Sequence, residues 1–371
     1  VVSRLLSKTA RGPLLSDVAA DQAKMRDSGS AQKTRPTLPL EEARENRFDG
    51  DWQHYTPPEP NATGLRVFDG IGVGELAEFI DWTPFFRTWE MVGTFPAILD
   101  DPDRGEAARE LYDNARAMLK RIEDEAWFSP KAVVGLWPAN ADGDDITIWA
   151  DDARKAALAK LPMLRQQTRK SEDRANYCLS DFVAPEGIRD WIGGFAVTAG
   201  PEVHAIAEGF KQAGNDYDAI MVQALADRLA EAFAEAMHLR VRRELWGYAP
   251  NEDPSNEALI AEDYRGIRPA PGYPACPDHL GKGPLFDLLH ATKHTGVSLT
   301  ESFAMWPAAS VSGFYFSHPQ ARYFGVGRIG RDQVEDYARR MKMAVEDVET
   351  WLAPSLAYGP ETRRTEFKKS A

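Results

Sequence analysis

The chain has 371 residues, with 44 Lys and Arg against 57 Asp and Glu, so its net charge is −13. That balance disfavours nucleic acid and acidic membrane surfaces, which are bound through clustered cations. Hydrophobic residues make up 43% and aromatics 10%, enough for a sizeable core, and at about 150 residues per domain the length predicts two or three domains, or one large one with a tail. No run approaches the roughly 18 consecutive apolar residues of a membrane span. Cys178 and Cys276 are the only cysteines, too few and too far apart for a disulfide framework or a four-cysteine zinc site. A reducing, cytoplasmic setting fits them. A chain beginning at Val1 without an apolar signal core is expected of a fragment or a processed product.

In chain order, residues 16–25 are expected to form a short helix and 26–37 a polar stretch with Ser28, Gly29, Ser30 and Pro36. Residues 41–46 read as another helical turn, and Thr56-Pro57-Pro58-Glu59-Pro60 is stiff and extended. Residues 1–38 are therefore expected to be the end of a preceding domain plus a linker, 39–358 the globular body, and 359–371 a polar tail carrying Arg363, Arg364, Lys368 and Lys369. Helical spacing over 104–125 runs through Ala107, Leu111, Ala115, Leu119 and Ile122. The longest helix is predicted over 216–245, where Met221, Leu225, Leu229, Phe233 and Met237 recur every fourth residue. Its opposite face, with Asp227, Arg228, Glu231, Glu235 and His238, is expected to be solvated.

Strands are predicted at 65–68, 132–136, 146–149, 177–182, 195–198, 302–305, 311–316 and 322–326, the last three as an antiparallel meander. They do not alternate regularly with helices, so a doubly wound parallel sheet is unlike this pattern. The expected fold is α+β: a single large domain with a twisted antiparallel sheet or meander, flanked by helices and preceded by a linker.

Several motifs compete for chemistry. Gly325-Val326-Gly327-Arg328-Ile329-Gly330 matches G-x-G-x-x-G, but 371 − 330 leaves 41 residues, too few for the rest of a dinucleotide-binding sheet. Gly70-Ile71-Gly72-Val73-Gly74 fails because Glu75 stands at the third glycine position. Both read as turn glycines. Glu235 and His238 form one Glu-x-x-His pair with no second to complete a di-iron site, so no metal is expected. No Ser/His/Asp or Cys/His arrangement offers a nucleophile.

The segment Arg268-Pro269-Ala270-Pro271-Gly272-Tyr273-Pro274-Ala275-Cys276-Pro277 is more informative. Its prolines exclude a helix interior and a central strand, and Arg268, preceding a proline, is pushed to extended geometry. Gly272 can take positive φ. The product is a stiff segment that presents a guanidinium suited to a carboxylate and an aromatic face suited to a cation or flat base. A rigid structural connector is the competing interpretation.

Together with Thr300-Glu301-Ser302-Phe303-Ala304-Met305-Trp306-Pro307, Ser312-Gly313-Phe314-Tyr315-Phe316-Ser317-His318-Pro319, the 80–86 and 246–252 segments and Trp351-Leu352-Ala353-Pro354, this stretch resembles the C-terminal activation domain of cobalamin-dependent methionine synthase. The Arg-x-x-x-Gly-Tyr motif is that of the family, and the match runs in order over about 39–358. The resemblance implies binding of S-adenosylmethionine, whose methyl group restores methylcobalamin from cob(II)alamin. Cobalamin is held by the adjacent domain, and the electron comes from flavodoxin or a flavoprotein reductase.

It also implies site roles. Arg268 would pair with the methionyl carboxylate, Ala270 would offer backbone bonds, and Asp81 would accept from the amino group or offset the positive charge. Gly272 would let the ligand approach the backbone closely, Tyr273 would lie between ligand and corrin, and Tyr323 would pack on or bond the ligand. Glu231 and Glu262 fall at family positions near the site. Phe324 stands where the family often has a second tyrosine, so ring packing or a backbone bond is all that position can give. The chain lacks the family's Asp-x-His-x-x-Gly cobalt-ligand signature, a zinc site for homocysteine and room for a folate barrel. It is therefore expected to be one part of a methyltransferase.

Two other functions remain in view at this point. One is an interaction module docking the cobalamin domain and the reductase, with Arg240, Arg242 and Arg243 as a basic patch. The other is a carboxylate–histidine metalloenzyme at Glu231, Glu235 and His238.

Overall fold

The computed structural model describes residues 9, 11–33, 37–171 and 174–359, without the side chains of 25–33. The cations expected in the tail lie outside these residues. Contacts group the chain into two compact units, Val1–Arg47 with Arg165–Asn176 and Val326–Ala371, and Phe48–Leu164 with Tyr177–Gly325.

The larger unit is built on antiparallel strands. They are β1 (Gly64–Asp69), β2 (Lys131–Asp142), β3 (Asp145–Trp149), β4 (Ala157–Pro162), β5 (Asp190–Thr198), β6 (Ser298–Leu299), β7 (Met305–Trp306) and β8 (Ser310–Tyr315). Six of them form one sheet in the order β4-β3-β2-β5-β8, with β1 also paired to β2, while β6 and β7 form a separate hairpin. The long strand β2 is central. Its first half pairs with β1 and its second half with β3, while β5 runs along it from Lys131↔Thr198 to Ala139↔Asp190.

Alternate side chains of the central strands enter two cores. Ala132, Val134, Leu136, Phe195 and Val197 belong to one, and Val133, Trp137, Ala139, Ile192 and Ala196 to the other. Burial on both faces explains why these strands read as nearly continuous apolar runs rather than as alternating ones. Helices Gly105–Asp124 and Asp216–Arg240 supply the first core. The second receives Lys282–Leu289.

The fold class is α+β, with helices and an antiparallel sheet, as expected. The predicted 216–245 helix is found as Asp216–Arg240, continued by a π turn over Val241–Leu245. Three strand expectations are corrected. Residues 177–182 contain a 3-10 helix, Leu179–Phe182, because the Asp181 carboxylate accepts from the Cys178 amide at 2.9 Å and closes a local turn in place of a strand ladder. Residues 322–326 are irregular: the Tyr323 hydroxyl accepts from the Arg268 amide, and Phe324 packs on Tyr177 and Phe182. In 302–305 only Met305 is extended, since Phe303 takes φ +57° after a turn. There is thus no terminal meander, and β8 instead adds to β5 at the sheet edge. Strand β4 gave no sequence signal, because its exposed Ala-Leu-Ala-Lys pattern lacks β-branched residues.

His318, expected in a turn, is buried. Its Nε2 lies 3.1 Å from the Gly50 carbonyl, and Nδ1 accepts from the Gln320 amide.

Asp190 opens β5 with a buried carboxylate that accepts from the Ala184 and Trp191 amides, each at 2.7 Å. Burial raises its pKa from 3.8 to about 7, against the pull of the two amides and Arg154. Between those values the native chain keeps a proton that the unfolded chain releases. This stabilisation is full below the unfolded value and is lost as pH rises through the folded one. Urea titrations should show unfolding free energy falling by at most about 4 kcal/mol from this group between about pH 4 and pH 7, and Asp190→Asn should remove that slope.

In the smaller unit, the helix found is Arg11–Lys33, longer at both ends than the one expected over 16–25 and taking in much of the presumed linker. A run without Pro between Leu14 and Lys33 lets the helix continue through Ser28-Gly29-Ser30. Thr37 bridges Thr168, and the Leu38 amide donates to the Gln167 carbonyl at 2.7 Å. Helix Arg331–Met341 starts at Gly330, whose amide donates to Gln167 Oε1, and Gly327 has φ +74°. These are turn roles, as the glycine pattern predicted.

Candidate functional site

The Pro-rich segment enters along the outer edge of β8. Ile267 exchanges both backbone bonds with Phe316, and the Phe314 amide donates to the Pro269 carbonyl at 2.9 Å. An edge is where prolines fit, since no ladder amide is demanded of them. Gly313 permits this approach: a Cβ there would stand 2.8 Å from the Pro269 oxygen. The chain then turns tightly. The Tyr273 amide donates to Ala270, the Gly272 amide to Cys276 at 2.7 Å, and the Cys276 amide to Tyr273. Gly272 has φ +97°, with the His279 ring where a Cβ would lie.

This loop, the long helix and the 323–324 segment enclose a cleft of about 450 Å³. Phe195, Pro269, Val311 and Phe324 supply its apolar lining, Arg268, Glu231 and Glu262 its charges, and Ala270, Tyr273 and Tyr323 complete the wall. Tyr273 is 59% exposed; its pKa is raised by the nearby Glu231 carboxylate and then by burial. A smaller cleft of about 150 Å³ shares Glu231, Glu262 and Arg268 and adds Asp81 and Glu235. Asp81 caps the helix Trp82–Thr88, accepting from the Thr83 amide at 2.9 Å. All eight predicted side-chain and backbone contributors therefore converge on two adjoining clefts. Gly272, expected to let a ligand approach the backbone, lines neither cleft; its φ of +97° instead serves the turn that carries Ala270 and Tyr273.

Arg268 is not a bare cation. Its Nη2 lies 2.5 Å from Glu235 Oε2, and Nη1 donates to the Tyr264 hydroxyl at 2.6 Å and lies 3.3 Å from His238 Nδ1. The guanidinium pKa is raised: burial disfavours its charge, but Glu235 and Tyr264 outweigh burial. His238 is fully buried, stacked on Tyr315 and edge-on to Tyr264. Burial, then Arg242 and Arg268, hold its pKa well below the usual histidine range. The neutral ring accepts at Nδ1 and keeps its proton on Nε2.

This corrects the solvated-face expectation for Glu235 and His238. The long helix is buried on most sides by its alanines, including Ala224, Ala226, Ala230, Ala232 and Ala234. A polar residue on such a helix must find a buried partner. Alanine on the supposed polar face was the signal that the every-fourth-residue stripe obscured.

Arg242 is likewise buried rather than part of a basic patch. Its Nε bonds Glu252 at 2.7 Å, and the guanidinium lies over Tyr264. Glu235 pairs with Arg268, and among the described residues no group of three or more His, Cys, Asp or Glu is placed to hold a metal.

Tyr323→Phe removes the hydroxyl that accepts from the Arg268 amide at 3.0 Å. Loss of about 1 kcal/mol of folding stability is expected from such a bond, seen as a melting temperature lower by about 2–4 °C.

An apolar cleft that shares a paired guanidinium and two carboxylates with its smaller neighbour, and that exposes two tyrosines, defines a binding domain for a small charged ligand. The sequence places that domain. The chain belongs to the family described as the vitamin B12 dependent methionine synthase activation domain, whose profile matches residues 72–342. It is similar to the MetH reactivation domain, whose crystal structure was determined bound to AdoHcy. The two share 55% identity with a TM-score of 0.86, over 87% of this chain and 100% of that one. Among the described residues no helix is long and apolar enough to cross a membrane.

Proposed function

We propose that the 450 Å³ cleft binds S-adenosylmethionine and presents its methyl group for reductive methylation of cob(II)alamin. The observation that carries this reading is the set of charges gathered on the two adjoining clefts: Arg268 for the carboxylate, and Glu231, Glu262 and Asp81 for the amino and sulfonium charges. The similar reactivation domain bound to AdoHcy, the demethylated form of that ligand, supports it. Arg268, Ala270 and Tyr323 would fix the ligand, Phe324 would contribute ring packing, and Tyr273, at the exposed lip, would meet the corrin. Cobalamin, carried by the adjacent domain, would supply the reduced cobalt as methyl acceptor. This chain's part is to orient the sulfonium and exclude water.

On this reading the chain is the reactivating part of a 5-methyltetrahydrofolate–homocysteine methyltransferase. Residues 39–358 form the ligand-binding domain and 1–38 the approach from the cobalamin domain. The electron comes from flavodoxin or a flavoprotein reductase. Two buried free thiols accord with a cytoplasmic setting. A pure docking role is less well supported, because Arg242 of its basic patch is buried and Arg240 pairs with Glu244. Calorimetric titration with S-adenosylmethionine should give saturable one-to-one binding, and absence of binding by the chain alone would count against this function.

A further inference from the structure

Glu235 stands apart from the residues that line the large cleft, yet it makes the shortest contact to the group that defines the site. Its carboxylate is 8% exposed, with Oε2 2.5 Å from Arg268 Nη2 and Oε1 3.9 Å from Arg242 Nη1. The other Arg268 Nη is taken by Tyr264 and His238, whereas Nε makes no hydrogen bond among the described residues. Arg268 borders both clefts. The Nε edge is therefore the part of the guanidinium left for a ligand carboxylate, while Glu235 keeps Nη2.

We propose that Glu235 is a positioning residue that both orients Arg268 and weakens its hold on a ligand carboxylate, so that it sets how strongly the site selects ligands by that group. The inference rests on the assignment of Arg268 to the ligand carboxylate. Two carboxylates on different edges of one guanidinium lie about 6 Å apart, and at an effective dielectric of about 20 their repulsion is large enough to lower affinity by ten- to a hundredfold. Arg242 offsets part of it. The pair also explains why a buried guanidinium is tolerated when the cleft is empty: Glu235 balances its charge. A site built this way holds its ligand firmly enough to orient it and loosely enough to release the demethylated product.

The test compares S-adenosylmethionine with its decarboxylated analogue by calorimetry, using the whole chain and Glu235→Gln. Glutamine keeps the acceptor oxygen and removes the charge. The variant should bind S-adenosylmethionine about tenfold more tightly, while the analogue changes less than about twofold. A structural role alone would move both ligands together. If the native chain favours S-adenosylmethionine but the variant does not bind it more tightly, the inference is overturned and the Arg268 assignment stands. If the native chain does not discriminate between the two ligands, the assignment itself fails and takes the inference with it.

Should the variant not fold, the native chain provides the second measurement. Glu235 faces Arg268 and Arg242, with Glu262, Tyr264, Tyr315 and Tyr323 nearby and His238 on its own helix. Burial raises its carboxyl pKa, against the pull of Arg268 and Arg242. Lowering the pH protonates Glu235 and should increase the affinity of S-adenosylmethionine relative to its decarboxylated analogue. A ratio that does not rise as the pH is lowered to the point where the native chain begins to unfold overturns the inference.

Discussion

Gly272→Ala should reduce affinity for S-adenosylmethionine by about thirtyfold or more. The glycine sits at φ +97°, and an added Cβ would lie 2.2 Å from His279 Cε1 and 2.6 Å from Nδ1. A non-glycine residue at such a backbone angle costs about 1–3 kcal/mol. Displacing a packed ring adds about 1–3 kcal/mol. The His279 ring is half-buried against this same loop. The loop must open, carrying Ala270 and Tyr273 out of the cleft wall. A Gly272→Ala, His279→Ala double variant removes the collision but not the angle, and should recover only part of the affinity. Calorimetry on the three proteins separates the two contributions. Native affinity in the single variant would show that the loop does not form the site.

Arg268→Ala should both destabilise the chain and weaken the ligand. It leaves the Glu235 carboxylate buried with Arg242 3.9 Å away as its remaining cation. Breaking a buried pair from one side typically costs about 3–5 kcal/mol. Loss of a charged hydrogen bond to the ligand adds about 1.5–3 kcal/mol to the binding deficit.

The stability loss has a sign in pH. Removing Arg268 takes away the largest influence that lowers the Glu235 pKa, so the folded value rises further above the unfolded one. Protonated Glu235 needs no cation. The variant should therefore be nearest to native stability in acid, and its deficit should grow as pH rises toward neutral. Urea unfolding of both proteins at about pH 5 and pH 8 measures this. A deficit independent of pH would mean that Glu235 finds another partner.

The elements legible in sequence were those whose signal is local. The helix over Gly105–Asp124 and the long helix ending in its π turn follow from apolar spacing, and β1, β2, β3, β5 and β8 from short apolar runs. The Arg268–Pro277 segment could be placed outside helices and central strands because proline restricts φ whatever surrounds it. Its ligand, by contrast, came from resemblance to a family rather than from spacing. Residues 177–182 and 322–326 failed as strands because short-range side-chain bonds in one case and aromatic packing in the other compete with a ladder.

By itself the sequence determined the α+β composition, from local apolar spacing, and the rigid Pro-rich loop, from backbone restrictions acting over a few residues; the need for glycine at 272 came only with the His279 ring packed where a Cβ would lie. Only the tertiary structure decided that Glu235, His238 and Arg242 leave solvent and that Arg268 is shared between Glu235 and the clefts. A helical repeat identifies which side of a helix is apolar, but not how many sides are covered. That depends on the sheet and loops brought against it, and it is the covering that turns a surface glutamate into the counter-charge of a buried arginine.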